Sequence, residues 1–356
     1  MIKAFIFFCW FSFLLCFEIN SQQGDELPFT KGVYGDAGAF LKNGMPLRSL
    51  GINAIFVHSA SLKDELYKAA KAEGVRVYAE FPTLNGKEYL EEHPEAWPIN
   101  EKGERAPIAD WFMGICPTDP GFRKYREQQL HDLLSRYQVD GIWLDYLHWH
   151  AQFETPNPIL PETCFCERCL LQFQEEMKVD IPSGDIETRS QWILTRSDSS
   201  WRLWRSSVLN DWVSDMKTIL KTSQPSALLG IYYCPWFPED YGGANYRTLG
   251  LDMKALAEIA DVFSPMLYHR MMGRSPAWVG EYVKWLHKSV IGDGKALIWP
   301  IVQAHNKPGV ITTEEFREVM WNGSRAPSTG IMMFTLHTLI GDAGKLEVMK
   351  DLYRKR

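Results

Sequence analysis

Residues 139–146 read Val-Asp-Gly-Ile-Trp-Leu-Asp-Tyr, an apolar run that ends in the carboxylate of Asp145. A nearly continuous apolar run is typical of a strand that is covered on both faces, as in a parallel sheet flanked by helices. A carboxylate at the end of such a strand is costly to remove from water unless it is paired or used. Asp145 is therefore the strongest candidate for a functional residue, with a salt bridge or a capping role as the alternative. Asp140, at the amino end of the run, is predicted to be structural.

The same kind of apolar run recurs along the chain and alternates with helical patterns. The predicted strands are residues 32–34, 54–58, 76–81, 141–146, 228–234, 262–268, 296–302 and 331–336. The predicted helices are residues 62–72, 122–136, 200–221, 253–259, 277–289, 313–321 and 344–353, and only the first crossover, around 40–50, is weak. Eight strands alternating with helices predict an α/β fold, the closed (β/α)₈ TIM barrel. A doubly wound open sheet is disfavoured because no glycine-rich phosphate loop follows an early strand.

The amino-terminal residues predict export. One lysine precedes an apolar run over residues 4–17, which has the length of a signal-peptide core and is too short for a stable membrane span. We expect a signal peptide over 1–21, with lipidation of Cys16 as the less favoured alternative. The prediction is a secreted or periplasmic protein whose residues 22–356 form one (β/α)₈ catalytic domain.

Composition narrows the class of partner. The net charge of −6 disfavours binding to nucleic acid. The chain contains 14 Trp and 14 Tyr, which fill a core or line a sugar-binding cleft, where the C–H faces of a pyranose pack on flat rings.

Two insertions break the regular spacing, at residues 82–119 after the third strand and 148–199 after the fourth. Both follow the carboxyl ends of strands, the side on which barrel enzymes build their active sites. Polar residues that end strands are therefore expected to point into this face of the barrel.

Five cysteines follow the predicted signal peptide, and an odd number cannot all pair with one another. Cys164, Cys166 and Cys169 are clustered, whereas Cys116 and Cys234 stand alone in the sequence. The cluster could hold a structural zinc with a fourth ligand from elsewhere, form a disulfide, or remain as free thiols. No cofactor and no catalytic metal are expected to be required.

Four segments carry a resemblance to a known family: Asp-Gly-Ile-Trp-Leu-Asp-Tyr at 140–146, Cys-Phe-Cys-Glu-Arg-Cys at 164–169, Cys-Pro-Thr-Asp-Pro at 116–120 and Ser-Pro-Met-Leu-Tyr-His at 264–269. They resemble (β/α)₈ glycoside hydrolases of polysaccharide-degrading bacteria, which are distantly similar to the α-galactosidase and α-L-fucosidase barrels. The resemblance covers nearly the whole mature chain. It implies that Asp145, which ends the fourth strand, is the nucleophile, and it does not identify the acid/base residue.

Glycoside hydrolysis needs a second carboxyl group. Glu239 is the predicted partner of Asp145, because it follows the fifth strand among aromatic residues that could raise its pKa for acid catalysis. The alternative for Glu239 is an exposed loop carboxylate. Glu80 and Asp240 are further candidates, and Asp252 is better explained as a helix N-cap.

The expected substrate-binding residues are polar or aromatic and lie in or after the predicted strands. They are Tyr34, His58, Glu80, Trp143, His148, Trp236, Tyr268, His269, Trp299, Gln303 and His337.

The resulting hypothesis is a glycosidase, a hydrolase of carbohydrate metabolism that cleaves an oligo- or polysaccharide. A catalytically inactive glycan-binding barrel is the alternative. A metal-dependent hydrolase that uses His148 and His150 is disfavoured because the sequence offers no third ligand.

Overall fold

The computed structural model describes residues 27–108, 112–155 and 157–356. The predicted signal peptide and the alternative lipidation site at Cys16 lie outside these residues, so both stay predictions.

The described residues form a closed barrel of parallel strands. The strands are β1 (Thr30–Tyr34), β2 (Ala54–His58), β3 (Arg76–Pro82), β4 (Gly141–Asp145), β5 (Leu228–Tyr233), β6 (Val262–Leu267), β7 (Leu297–Ile298), β8 (Ile301–Gln303) and β9 (Gly330–Phe334). β7 and β8 both pair with β6 and together form one barrel position that is interrupted between Ile298 and Ile301. Pairing of β1 with β9 and of β5 with β6 completes the ring. The predicted eight-stranded (β/α)₈ barrel is confirmed.

Thirteen α-helices occur in the described residues. They are α1 (Gly38–Lys42), α2 (Asp64–Ala72), α3 (Lys87–Glu92), α4 (Pro120–Arg136), α5 (Glu167–Met177), α6 (Ile186–Arg196), α7 (Asp198–Ser223), α8 (Ala244–Arg247), α9 (Met253–Ile259), α10 (Ala277–Leu286), α11 (Thr313–Gly323), α12 (Leu336–Ile340) and α13 (Ala343–Lys355). The weak first crossover is the five-residue α1, and the insertion after β4 contains α5 and α6. Among the helices described, none combines the length and the apolarity that crossing a bilayer requires.

The barrel interior is filled with aromatic rings. Trp143 and Trp299 stack with ring centroids 5.4 Å apart, and Phe56 and Tyr78 pack against both. Both tryptophans are fully buried. The predicted sugar-binding role of Trp143 and Trp299 is therefore corrected, since both belong to the core below the rim. Gly230 accommodates this packing, because a Cβ there would lie 2.1 Å from the Trp143 ring.

Asp140 lies at the opposite, amino-terminal end of β4. Its Oδ2 accepts the backbone N–H of Val77 at 2.7 Å and pairs with Lys71 Nζ at 2.6 Å. It joins β3, β4 and α2, which agrees with the predicted structural role.

Candidate active site

A cavity of about 660 Å³ opens at the carboxyl ends of the strands, with Asp145 in its wall. Aromatic rings from β1, β5 and β9 and from the residue that follows β6 line it: Tyr34, Tyr232, Phe334 and Tyr268. The remaining lining residues are Tyr146, Glu154, Met266, Met271, Ile301, His305, Asn306, Lys307, Thr335, His337 and Thr338. Flat apolar walls with a few polar groups are typical of a saccharide site.

Asp145 is the last residue of β4 and is half-buried at the cavity wall. Its Oδ1 accepts the backbone N–H of Tyr146 at 2.8 Å. Tyr146 has a φ of +53°, a left-handed conformation that is uncommon for a residue with a Cβ and that often marks a functional turn. Burial raises the pKa of Asp145, and the hydrogen bonds from Tyr146 and Glu80 oppose that rise.

Glu80 lies beside Asp145 on β3 and is 2% exposed. It accepts a hydrogen bond from the Tyr34 hydroxyl and shares a second hydrogen bond with Asp145. Burial, followed by the charge of Asp145, raises the pKa of Glu80 well above its ordinary value. The shared hydrogen bond raises the pKa of Glu80 and lowers that of Asp145. Glu80 therefore keeps the common proton, and Asp145 carries the negative charge.

A third carboxylate, Glu154, lines the same cavity from the loop that follows β4. It also lines a small recess beside Asp145, together with Phe112 and His148. Its negative charge contributes to the raised pKa of Glu80 and of Tyr268. Sequence reasoning missed Glu154 because it lies in an irregular loop after β4, without a strand to place it.

The predicted partner Glu239 is not brought to Asp145. It is exposed in the loop after β5 and lies outside the cavity lining, just before the 3₁₀ turn Asp240–Gly242. Asp240 is paired with Arg274 at 2.7 Å. Asp252 caps α9, as expected, by accepting the backbone N–H groups of Lys254 and Ala255.

Several predicted binding residues do line the main cavity or its recess. Tyr34, Tyr268 and His337 line the main cavity, and His148 lines the recess with Asp145. Tyr34 and Tyr268 both pack against Phe334, at centroid distances of 5.1 and 5.2 Å.

Other predicted binding residues point elsewhere. His269 is buried against Glu315 at 2.8 Å, and Gln303 Oε1 accepts the backbone N–H of Arg270 at 3.0 Å. Trp236 is buried against Phe153. His269, Gln303 and Trp236 therefore stabilise the loops at the rim, and all three lie outside the cavity lining. His58 lines a different cavity, on the outer side of the rim.

His148 and His150 do not share a ligand position. His148 Nδ1 bonds to the carbonyl of Trp149 at 2.8 Å, and His150 Nε2 bonds to that of Pro107 at 2.7 Å. His150 Nδ1 accepts the backbone N–H of Gly114. The bonds of His150 to Pro107 and Gly114 link the two long loops, whereas the bond of His148 is local to the loop after β4.

Four cysteines converge between the same two loops. The sulfur atoms of Cys116, Cys164, Cys166 and Cys169 all lie within 4.8 Å of one another. Cys116 Sγ is 3.4 Å from Cys169 Sγ and 3.7 Å from Cys166 Sγ. All five cysteines of the described residues are free, so the disulfide alternative is not observed. Cys116, which stands alone in the sequence, is the fourth member of the cluster, because the loop before α4 brings it there.

The cluster favours an anionic sulfur. Hydrogen bonds from the other three thiols, opposed by burial, hold the pKa of Cys116 well below its usual range. The positive charge of Arg168 also lowers the pKa of Cys116, by a smaller amount. A set of four thiols, three of them buried and one with a lowered pKa, is suited to a soft metal ion.

The fold is shared with several glycoside hydrolases of known structure. The glycoside hydrolase domain of PgaB (BpsB) from Bordetella bronchiseptica superposes with a TM-score of 0.67 at 13% identity, over 92% of this chain and 99% of that one. A β-galactosidase from Marinomonas ef1 gives 0.66 at 12% identity, over 92% of this chain and 59% of that one. An α-L-fucosidase from Paenibacillus thiaminolyticus gives 0.58 at 13% identity, over 92% and 49%.

This chain therefore spans little more than half the length of the β-galactosidase. No model of a known family matches the sequence, and no curated protein matches it either. At identities this low, the similarity concerns the fold. The expected resemblance to glycoside hydrolase barrels is confirmed at that level.

Proposed function

We propose that the protein is a glycoside hydrolase in which Asp145 acts on the anomeric carbon of a bound sugar. The observation that carries the proposal is the placement of Asp145 in the wall of an aromatic-lined cavity, with the buried carboxyl group of Glu80 beside it. Burial and the charge of Asp145 raise the pKa of Glu80, which favours a neutral Glu80 and an anionic Asp145. A glycosidase needs such an anion opposite the positive charge that develops on the sugar ring.

Glu154 is the proposed acid/base residue, in place of the predicted Glu239. It donates a proton to the glycosidic oxygen as the bond to the leaving group breaks, and Asp145 forms a bond to the anomeric carbon. Glu154 then accepts a proton from water, whose oxygen displaces Asp145. The support is that Glu154 and Asp145 line one cavity, whereas Glu239 is exposed outside it.

Glu80 is a positioning residue in this scheme. It is almost fully buried and is already bonded to Tyr34 and Asp145. This arrangement suits a group that fixes the orientation and charge of Asp145 and leaves proton transfer to another residue.

The test is the Asp145→Asn variant, assayed on a panel of glycans with products identified by mass. We expect turnover to fall by about 10⁴-fold or more, as for other residues that form a covalent intermediate, with binding retained. Retained turnover would remove Asp145 from the mechanism. Saccharide binding by the wild type without any turnover would favour the inactive glycan-binding barrel.

We further propose that the four cysteines hold one structural zinc ion. Zn–S bonds of about 2.3 Å in a tetrahedron place the sulfurs about 3.8 Å apart, close to the separations from Cys116 to Cys166 and Cys169. When bound, the metal would tie the loop before α4 to the loop after β4, which also carries Glu154. It would take no part in the chemical steps.

Elemental analysis tests the zinc site without an activity assay. We expect about one zinc per wild-type chain and loss of bound zinc in Cys116→Ser, with a lower melting temperature. Cys234→Ser is the matched control, because Cys234 is buried outside the cluster. Equal metal content in Cys116→Ser and wild type would contradict the assignment.

We also propose export of the protein, on the strength of the apolar run in residues 4–17. Amino-terminal sequencing of the mature protein is expected to begin at residue 22. A chain that keeps Met1 would refute this.

A further inference from the structure

A second cavity of about 540 Å³ lies on the outer flank of the rim. His58 at the end of β2, Pro82 at the end of β3 and the first turn of α3 form one wall, and one face of α4 forms the other. None of its lining residues belongs to the lining of the catalytic cavity or its recess. The two sites are therefore separate binding volumes on the same side of the barrel.

The most unusual group in this cavity is Arg126, a cation that is 8% exposed. Its Nη groups donate to the side chain of Gln129 and to the carbonyl of Asn85, and its Nε has no partner. Within the part of the chain that the structure describes, Arg126 forms no ion pair with a carboxylate. Burial, the largest cause, lowers the pKa of Arg126 to about 10. An arginine in this position is suited to an anionic ligand, because a guanidinium lacking a counter-ion is costly to bury.

The other charged groups around the cavity do not form an ion pair with Arg126 in the described residues. Arg136 is paired with Asp64 at 2.8 Å, and Asp132 accepts a bond from Gln128. Lys87 and Glu88, in the first turn of α3, also line the cavity. The negative charge of Glu88 raises the pKa of Arg126, against the larger effect of burial, but Glu88 forms no ion pair with Arg126 within the ranges that the structure describes. His58 has a lowered pKa, from burial and then from the charge of Arg126, so it presents a neutral ring at neutral pH. A ligand of one negative charge would therefore complement Arg126.

Aromatic side chains extend the wall next to Arg126. Tyr125 lines the cavity and is 39% exposed, and its ring lies 5.3 Å from that of Tyr89. The Arg126 guanidinium lies 5.5 Å from the Tyr125 ring. An exposed ring beside a cation offers a surface for the C–H face of a sugar and a partner for an acidic substituent on it.

We propose that this flank cavity binds an acidic saccharide, with the carboxylate of a uronic acid or a sulfate ester directed at Arg126 and the sugar ring packed on Tyr125. The site is distinct from the catalytic cavity and does not depend on the proposed hydrolysis. It would hold an acidic glycan next to the rim.

Isothermal titration of the Asp145→Asn protein tests the proposal without turnover. The probe is a hexasaccharide of alternating glucuronic acid and N-acetylglucosamine, and the control is the same hexasaccharide with its carboxyl groups reduced to alcohols. We expect at least tenfold tighter binding of the acidic form. Equal affinity for the two forms would overturn the proposal, and this comparison needs no change at Arg126.

Two variants in the same background locate the site. Arg126→Met is expected to weaken binding of the acidic hexasaccharide at least tenfold and to leave the reduced form unaffected. Tyr125→Ala removes an exposed ring, and we expect it to weaken the hexasaccharide several-fold without changing the affinity for inorganic sulfate. Unchanged acidic binding in a folded Arg126→Met protein would overturn the proposal. Sulfate that competes as well as the hexasaccharide would overturn the saccharide assignment. Failure of this site would leave the effect of Asp145→Asn on turnover unchanged, so the two proposals fail separately.

Discussion

Replacing Glu80 by Gln tests the carboxyl pair directly, because the amide has nearly the same shape and can keep both hydrogen-bond partners. In the wild type, burial and the charge of Asp145 raise the pKa of Glu80 above its ordinary value of 4.5. The folded state therefore binds the Glu80 proton more tightly than the unfolded state does. The resulting contribution to stability is fully present below pH 4.5 and is lost as the pH rises through the raised pKa of the folded protein.

The size of the effect follows from the proximity of the two carboxyl groups. Two like charges about 4 Å apart repel by about 4 kcal/mol at an effective dielectric constant of about 20. The neutral amide of the Glu80→Gln variant removes this repulsion, so the variant is expected to be more stable than the wild type by about 2–4 kcal/mol at alkaline pH. At about 2.1 cal/mol/K of unfolding entropy per residue, a chain of this size would show an increase of about 3–6 °C in melting temperature.

Melting temperatures of wild type and Glu80→Gln, measured from about pH 4 to about pH 9, provide the assay. The difference is expected to be small at the acid end and to grow with pH. Glu239→Gln is the matched control, because its carboxylate is exposed and a surface charge contributes little to stability. A difference that stays constant with pH, or a variant that is less stable than the wild type at the alkaline end, would refute the assignment of the shared proton to Glu80.

Three further predictions follow from particular contacts. Glu154→Gln is expected to lower kcat by about 10²–10⁴-fold on substrates with poor leaving groups, whereas an equal loss in Glu239→Gln would restore the original assignment. Trp143→Ala is expected to cost about 3–5 kcal/mol of stability in urea denaturation, because the ring is fully buried in the barrel; a raised KM with unchanged stability would return Trp143 to the binding site. Lys345→Met is expected to raise KM more than it lowers kcat, since the Lys345 amine donates to the cavity residue Asn306 at 2.9 Å. Steady-state kinetics on any active substrate would show whether KM changes more than kcat.

The sequence by itself determined the barrel fold and one candidate residue of the site, Asp145. Strand and helix patterns are local, so eight apolar runs separated by helices predict the closed parallel sheet without long-range information. The choice of Asp145 as a candidate has a related reason, since a carboxylate that ends an apolar strand needs a partner or a function. The close spacing of Cys164, Cys166 and Cys169 also made a ligand cluster visible locally.

The depth of each strand residue was decided only in the tertiary structure. Trp143 and Asp145 are two residues apart and share the inward face of β4, but a strand rises about 3.3 Å per residue. Trp143 therefore lies about 7 Å below the rim, where the rings of Phe56, Tyr78 and Trp299 fill the barrel. The sequence pattern therefore identifies Trp143 as an inward-facing strand residue, but it does not show that the ring lies in the core below the rim.

Which loop residues reach the cavity and the cysteine cluster was likewise decided only by the tertiary structure. Glu154 reaches the cavity through a loop without regular periodicity, and Cys116 joins three cysteines that lie about fifty residues further along the chain. Hydrophobic periodicity reports which face of an element is buried, and it carries no information on where an irregular segment returns to the barrel. The barrel and Asp145 could be predicted from local patterns, whereas the groups that surround Asp145 depend on how the long loops close over the rim.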